Sequence, residues 1–117
     1  KNHCCAILHA DELVGFCTFG ADGQVDGGDY SQPALDMGMG MKPALTGQKR
    51  GQHFITAAIQ YAIGTFSPSS LRATISATNA RAQQMCEKVG FIRREQFICP
   101  RNEKAFVIFT MAITTQA

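Results

Sequence analysis

One stretch of this sequence restricts the fold more than any other, because a strand, a helix and a second strand follow each other in it. Residues 35–41 read LDMGMGM, with methionine at every second position, which is the side-chain alternation of a β-strand. Residues 52–66 repeat apolar side chains at helical spacing, and residues 71–77 read LRATISA, a second strand. This order predicts a right-handed crossover between two parallel neighbours.

The segments on either side of this unit predict antiparallel hairpins and one more helix. Thr78 or Asn79 can cap that helix, and Gly90 stands where a C-terminal helix cap belongs. The order is therefore ββ-β-α-β-α-ββ, which predicts one domain over 1–117 with a mixed sheet, of α/β (α+β) class. The predicted hairpin strands are 3–9 with 13–19, and 91–99 with 104–113.

Two features of the first half suggest a site. The strand 35–41 carries Gly38 and Gly40 on one face, which predicts either a β-bulge or the close approach of a ligand or another backbone. Residues 20–33 collect Gly, Asp, Ser and Pro and predict a long, polar, mobile loop. Its aspartates could attract a cationic partner, although solvated loop charges are the ordinary explanation.

Composition excludes several classes of protein. Eleven Lys and Arg against nine Asp and Glu give a net charge of +2, too mild to indicate nucleic-acid binding by bulk charge. No apolar run approaches the roughly 20 residues of a membrane helix. The five cysteines form no Cys-x-x-Cys pair, so we expect buried free thiols in a reducing cytoplasm and neither disulfides nor a metal site.

The segment between the strand 35–41 and the following helix suits a phosphate group. Glycines at 47 and 51 let the backbone turn tightly, and the first N–H groups of a helix lack internal partners. Such a helix start binds anions, and two basic residues would reinforce it. An ordinary helix start with solvated basic residues is the alternative. The candidate phosphate-binding residues are Thr46, Gly47, Gln48, Lys49, Arg50, Gly51 and Gln52.

A second motif makes the chain recognisable. Residues 79–91 read NARAQQMCEKVGF. With the glycine-containing loop, this segment resembles the GNAT superfamily of acetyl-CoA-dependent N-acetyltransferases, which carry Gln/Arg-x-x-Gly-x-Gly/Ala before the central helix and Asn-x-Arg-Ala-x-x-x-Tyr-Glu-Lys-x-Gly-Phe after it. Of two registers for the first motif we prefer 46–51, because 43–47 also fits the family. The second motif matches at Asn79, Arg81, Ala82, Glu87, Lys88, Gly90 and Phe91.

The resemblance implies acetyl-CoA as cosubstrate and a primary amine, small molecule or peptide, as acceptor. In the family, the strand matching 35–41 carries a bulge and splays from its parallel neighbour. Pantetheine lies in the resulting V-shaped slot against the strand backbone, here Met39, Gly40 and Met41, with Asn79 nearby. The methionine side chains are expected in the core.

Two departures from the family bear on catalysis. The strand and two helices that usually precede the first hairpin are absent from this chain, so the amine pocket is incomplete, trimmed or supplied by a partner. The tyrosine that many members use as general acid falls on Cys86, whose thiol could donate the proton instead, although a core position is the ordinary explanation. Asp36 is the candidate for the base that takes the ammonium proton; its ordinary role would be a strand-edge carboxylate in solvent.

Other functions stay open. A non-catalytic acyl-CoA-binding or subunit-interaction module of the same fold would bind CoA without turnover. A nucleic-acid binder would use Arg93, Arg94 and Arg101 with interleaved phenylalanines, although strand alternation explains these residues more simply. We expect no membrane partner, and an exposed first strand would invite pairing with a second copy of the chain.

Overall fold

The structure is a computed structural model that describes residues 3–9, 12–41 and 50–113. Within these ranges six strands form a mixed sheet, and two α-helices cover one of its faces. This arrangement confirms the predicted α/β class and the predicted order of elements. The elements are β1 (His3–His9), β2 (Glu12–Phe19), β3 (Leu35–Met41), α1 (Arg50–Phe66), β4 (Ser70–Ser76), α2 (Ala80–Val89), β5 (Ile92–Ile98) and β6 (Ala105–Ala112).

The strands lie in the order β1-β2-β3-β4-β6-β5. Neighbours are antiparallel except β3 and β4, which are parallel as the crossover predicts. Their ladder joins only Leu35 to Leu71 and Asp36 to Arg72, whereas β4 pairs with β6 along its whole length. The prediction that the two parallel strands separate toward one end is therefore confirmed.

Both ends of α2 are capped as predicted. The Asn79 side-chain oxygen accepts a hydrogen bond from the backbone N–H of Ala82 at 3.2 Å. Gly90 adopts a left-handed conformation with φ of 115°, which glycine reaches at little cost, and the N–H of Phe91 then bonds to the carbonyl of Cys86 at 2.9 Å. The α1 boundary differs from the prediction, since the helix begins at Arg50 rather than at residue 52. Its first turn carries none of the apolar periodicity on which the prediction relied.

The core lies between the helices and one face of the sheet. Alternate residues of β3 and β4 point to it, as the two-residue period of a strand requires. Free thiols contribute, and those of Cys17 and Cys86 are buried there. The buried members are Cys17, Phe19, Met37, Ile55, Ala58, Ile59, Ala62, Leu71, Ala73, Cys86, Phe91, Val107 and Phe109.

The glycine at position 38 has a structural reason that the sequence does not reveal. A Cβ on Gly38 would come within 3.0 Å of the Thr18 hydroxyl oxygen, on the residue that pairs with it in β2. The β2–β3 ladder also runs in continuous register from Met37 to Met41. The prediction of a β-bulge in β3 is therefore wrong for its pairing with β2. The strand separates from β4 without a β-bulge in this ladder.

The segment 20–34, called here the β2–β3 loop, is anchored to the face of the sheet opposite the helices. The Tyr30 hydroxyl accepts a hydrogen bond from the N–H of Val25 at 2.9 Å and lies 2.8 Å from the hydroxyl of Thr74 on β4. The backbone N–H of Gly20 bonds to the carbonyl of Asp36 at 2.9 Å. The loop therefore makes specific contacts with the sheet, which its composition does not indicate.

A buried ion pair joins β3 to β4 at the last pair of their ladder. The Arg72 guanidinium donates from Nε to Asp36 Oδ1 at 2.6 Å and from Nη2 to Oδ2 at 2.8 Å, and both residues are 4% exposed. Gln24 Nε2 also donates to Asp36 Oδ2 at 2.8 Å, and Arg72 Nη1 donates to the carbonyl of Gln32 at 2.8 Å. The guanidinium lies 4.8 Å from the centre of the Tyr30 ring. The pair therefore holds two strands and the β2–β3 loop together.

We predict that Arg72→Met destabilises the chain by about 3–5 kcal/mol, because it leaves the Asp36 carboxylate buried without its partner. The matched control is Arg101→Met, which removes the exposed ion pair that Arg101 makes with Asp26 at 3.1 Å. That change should cost at most about 1 kcal/mol. Urea unfolding monitored by circular dichroism measures both values, and equal losses would contradict the role assigned to the buried pair.

Candidate active site

A pocket of about 400 Å³ opens where β3 and β4 part, and we call it the slot. Its walls come from both strands and from the two helices that follow them. Apolar side chains dominate the walls, with polar groups near the start of α2. The lining residues are Met37, Gly38, Met39, Ile55, Ala73, Thr74, Ile75, Ser76, Asn79, Arg81, Ala82, Met85, Cys86 and Phe91.

The backbone edges that face each other across the slot are available to a ligand. The described ladder between the strands stops at Asp36 and Arg72, so residues 37–41 and 73–76 do not pair with each other. Backbone N–H and C=O groups need hydrogen-bond partners, and a chain with amide groups can supply them. The slot opens at the carboxyl ends of two parallel strands, where open α/β sheets place their ligands.

The slot also lies beside the N-terminal half of a helix. Ile55 lines it, only one turn after Gly51 in the first turn of α1. The N-terminus of a helix carries partial positive charge and N–H groups without internal partners, which favours anions. The apolar slot therefore has an anion-favouring helix start next to it.

The predicted cofactor-binding residues are distributed as follows. Met39 lines the slot, and Met37 is both a buried core residue and part of the same wall. Gly40 and Met41 continue β3, and Arg50, Gly51 and Gln52 form the first turn of α1, in which Gln52 is exposed. Asn79 lines the slot while its side-chain oxygen caps α2. The residues Thr46, Gly47, Gln48 and Lys49 lie outside the described residues.

The structure gives Asp36 a different environment from the one expected of a base or of a strand-edge carboxylate in solvent. It is buried, and both of its oxygens accept hydrogen bonds, from Arg72 and from Gln24. It also lies at the closed end of the slot and not in its lining. The carboxylate is therefore held in an ion pair outside the slot lining.

Cys86 lies in the wall of the slot. Its thiol is a weak acid. The residue is 3% exposed, and burial, with a smaller contribution from the charge of Glu87, raises the pKa of Cys86 to about 12. The thiol therefore keeps its proton at neutral pH. It is also a weaker acid than an ordinary thiol, whose pKa is about 8.5.

Sequence reasoning missed the hydroxyl groups near the slot. In the sequence, Thr74 is one residue of a predicted strand, and Tyr30 is one residue of a polar loop. Their contact spans 44 positions of the chain, so local patterns could not reveal it. The one available signal is a tyrosine in a segment otherwise built of turn residues, since a buried aromatic with a polar tip usually finds a hydrogen-bond partner.

The fold is that of GNAT acetyltransferases. The family model for the acetyltransferase (GNAT) domain matches residues 1–92. The chain therefore belongs to the GNAT acetyltransferase family. A sequence comparison with curated proteins gave no significant match.

Solved structures of N-acetyltransferases share the fold. A chimera of spermidine N-acetyltransferase SpeG from Vibrio cholerae and hSSAT matches with a TM-score of 0.74 at 13% identity, over 95% of this chain and 69% of that one. AAC(6')-Ib in complex with ribostamycin and coenzyme A matches with a TM-score of 0.78 at 17% identity, over 95% and 64%. The chain thus spans about two thirds of the length of these structures.

The described part of the chain shows no metal-binding group and no membrane-spanning helix. Across residues 3–9, 12–41 and 50–113, no three His, Cys, Asp or Glu side chains are grouped so that they could hold a metal ion. Neither described helix is long and apolar enough to cross a membrane.

The raised pKa of Cys86 predicts a specific pH dependence of stability. Between pH 9 and 12 the unfolded thiol loses its proton while the folded one keeps it, so the contribution of this thiol to stability falls as the pH rises. The stability advantage of the parent over Cys86→Ala should shrink by roughly 2–3 kcal/mol between pH 8 and pH 11. Urea unfolding of both proteins at the two pH values measures the change. A constant difference would show that the folded thiol titrates normally.

Proposed function

We propose that this chain transfers an acetyl group from acetyl-CoA to a primary amine, which attacks the thioester directly without a covalent enzyme intermediate. The observation that carries the proposal is the slot, formed where the only described parallel strand pair separates after Asp36 and Arg72. Membership of the GNAT family supports it. The spermidine and aminoglycoside N-acetyltransferases of similar fold agree with it.

The slot suits the pantetheine arm of acetyl-CoA. That arm is narrow and carries two amide groups on an apolar chain, which match the apolar walls and the facing strand edges. Met39, Gly40 and Met41 would offer backbone groups from β3, and Asn79 and Arg81 line the same slot at the start of α2. A structure of AAC(6')-Ib contains paromomycin and acetyl-CoA, so a protein of this fold accommodates that cosubstrate.

The diphosphate of acetyl-CoA would bind at the N-terminus of α1. Arg50 and Gly51 lie in the first turn of that helix, and the predicted loop 46–49 precedes them. The helix start offers N–H donors and partial positive charge, and Lys49 and Arg50 would add screened charge. The strand backbone across the slot would polarise the thioester carbonyl by hydrogen bonding.

The acceptor that we propose is a cationic amine. The proteins of similar fold are described as a spermidine N-acetyltransferase and as an AAC(6') in complex with an aminoglycoside, and both of these ligands carry several amino groups. The β2–β3 loop contributes exposed carboxylates at Asp29 and at Asp26, of which Asp26 is paired with Arg101. Asp29 remains ionised, because its hydrogen bonds with Ser31 lower the pKa of its carboxyl group.

The proposal is tested by calorimetric titration with acetyl-CoA, followed by assay of thiol release with a panel of amines. The panel contains spermidine, ribostamycin and a peptide with a free α-amino group, with acetate as a control that has no amino group. Saturable binding together with amine-dependent thiol release supports the proposal. Absence of binding contradicts it.

We predict that Gly51→Asp weakens acetyl-CoA binding by about tenfold or more, because it places a carboxylate in the helix turn assigned to the phosphates. The matched control is Gly64→Asp, in the last turn of the same helix, where an added Cβ meets nothing within 4 Å. Calorimetry on folded protein compares the two variants. Unchanged affinity in Gly51→Asp, or equal losses in both, would refute the phosphate assignment.

The proton-donor role predicted for Cys86 has its own test. A thiol with a pKa of about 12 is a less favourable donor than the CoA thiol that it would protonate. We therefore expect Cys86→Ala to keep turnover per folded molecule within about fivefold of the parent while losing some stability. A drop of about 10²-fold at unchanged acetyl-CoA affinity would instead restore Cys86 as general acid.

A second candidate function is a non-catalytic acyl-CoA-binding module. One observation favours it, namely the buried cysteine at the position that the family resemblance gives to the tyrosine. This candidate predicts acetyl-CoA binding with no thiol release from any amine.

Since β1 forms one edge of the described sheet, we also propose that two copies of the chain pair at that edge. Light scattering tests the pairing, and a monomer at all concentrations excludes it.

A further inference from the structure

We propose that Thr74 is a catalytic hydroxyl that carries a proton from the attacking amine to the departing sulfur, and that Tyr30 is the positioning residue that orients it. This inference rests on the proposed function and deepens it. It addresses the transfer of a proton from the amine nitrogen to the leaving sulfur, which needs a group that accepts and donates a proton at once. Asp36 is held in an ion pair with Arg72 and is not such a group.

The position of Thr74 is the first observation. It lies in the slot wall on β4, two residues past the last ladder pair of the parallel strands. Its neighbours Ala73 and Ile75 pack toward the helices, whereas its hydroxyl contacts the β2–β3 loop. The hydroxyl is therefore on the side of the sheet away from the helices. An amine would approach from this side, because pantetheine would occupy the helix side.

The hydrogen bonds of Tyr30 provide the second observation. Its hydroxyl accepts from the N–H of Val25, so its own proton is available for Thr74 Oγ1 at 2.8 Å. When Tyr30 donates, the Thr74 proton is directed elsewhere, and one Thr74 lone pair stays available as acceptor. The Arg72 guanidinium, 4.8 Å from the ring centre, holds the Tyr30 ring in place. Thr74 can then donate and accept at the same time.

Protons and electrons balance in this step. The cationic acceptor first loses one proton to bulk water and enters the step as the neutral amine. The amine then forms the C–N bond and the C–S bond breaks, with the bonding electron pair leaving on sulfur. The nitrogen gives one proton to Thr74 Oγ1, and Thr74 gives its own proton to the sulfur. Thr74 ends as it began, and Tyr30 keeps its proton throughout. Neither residue needs to ionise, and no further reactant is required.

The experiment compares four single variants and one double variant, Thr74→Val with Tyr30→Phe, in the thiol-release assay, with the amine from the panel that gives the highest turnover. Thr74→Val removes the hydroxyl at constant shape, and Thr74→Ser keeps it. Tyr30→Phe removes only the phenol oxygen. The matched control is Tyr61→Phe, at the second tyrosine of the chain. Tyr61 packs against Phe19 and Phe66 on the other side of the sheet.

Thr74→Val should lower kcat by about 10²-fold while the KM for acetyl-CoA stays within about twofold, and Thr74→Ser should restore most of the loss. Tyr30→Phe should lower kcat by about tenfold, the usual worth of one hydrogen bond, and Tyr61→Phe should leave it unchanged. In the double variant the Tyr30 effect should vanish, because its only route to the reaction is Thr74. Thermal unfolding confirms that each protein is folded.

A merely structural role for these hydroxyls would change the unfolding temperature and leave kcat per folded molecule intact, and that result overturns the inference. Additive losses in the double variant would overturn the assignment of Tyr30 as a positioning residue. Absence of turnover in the parent with every amine overturns the proposed function and this inference together. Full activity of Thr74→Val in an active parent overturns the inference alone.

Discussion

The buried ion pair between Asp36 and Arg72 is the interaction on which the rest of this structure depends. It is the last pair of the parallel ladder, so the strands are joined at this point and apart beyond it. A charge pair of this kind must be nearly complete in its hydrogen bonds to offset desolvation, and here Gln24 and the carbonyl of Gln32 complete it. Because both of these groups belong to the β2–β3 loop, the same interaction places the loop against the slot.

The architecture could be predicted from the sequence, because its signals are local. The alternating methionines of β3, the helical apolar stripe and the capping pair Asn79 and Gly90 each specify an element within a few residues. The crossover rule then makes β3 and β4 parallel neighbours, and the structure confirms this. The observed ends of helices and strands differ from the predicted ends by one or two residues. For α1 the reason is that its first turn has no apolar periodicity.

The chemistry of the site could be predicted only in part, because it depends on pairs distant in the chain. Asp36 looked like a candidate base until Arg72, 36 residues away, was found beside it. Gly38 suggested a ligand, but a Cβ at this position would already crowd the Thr18 hydroxyl on the neighbouring strand. Tyr30 and Thr74 carried no motif at all. Each of these contacts is made by the tertiary fold, and no local pattern encodes it.

The central claim is that acetyl-CoA occupies the slot between β3 and β4, with its phosphates at the start of α1. Mapping of backbone amide shifts by NMR during titration with acetyl-CoA tests this claim most directly. We expect saturable shifts at residues 37–41, 50–55 and 73–82, and small ones at the β5–β6 turn 99–104. Shifts concentrated at that turn, or none at the slot at saturating acetyl-CoA, would contradict it.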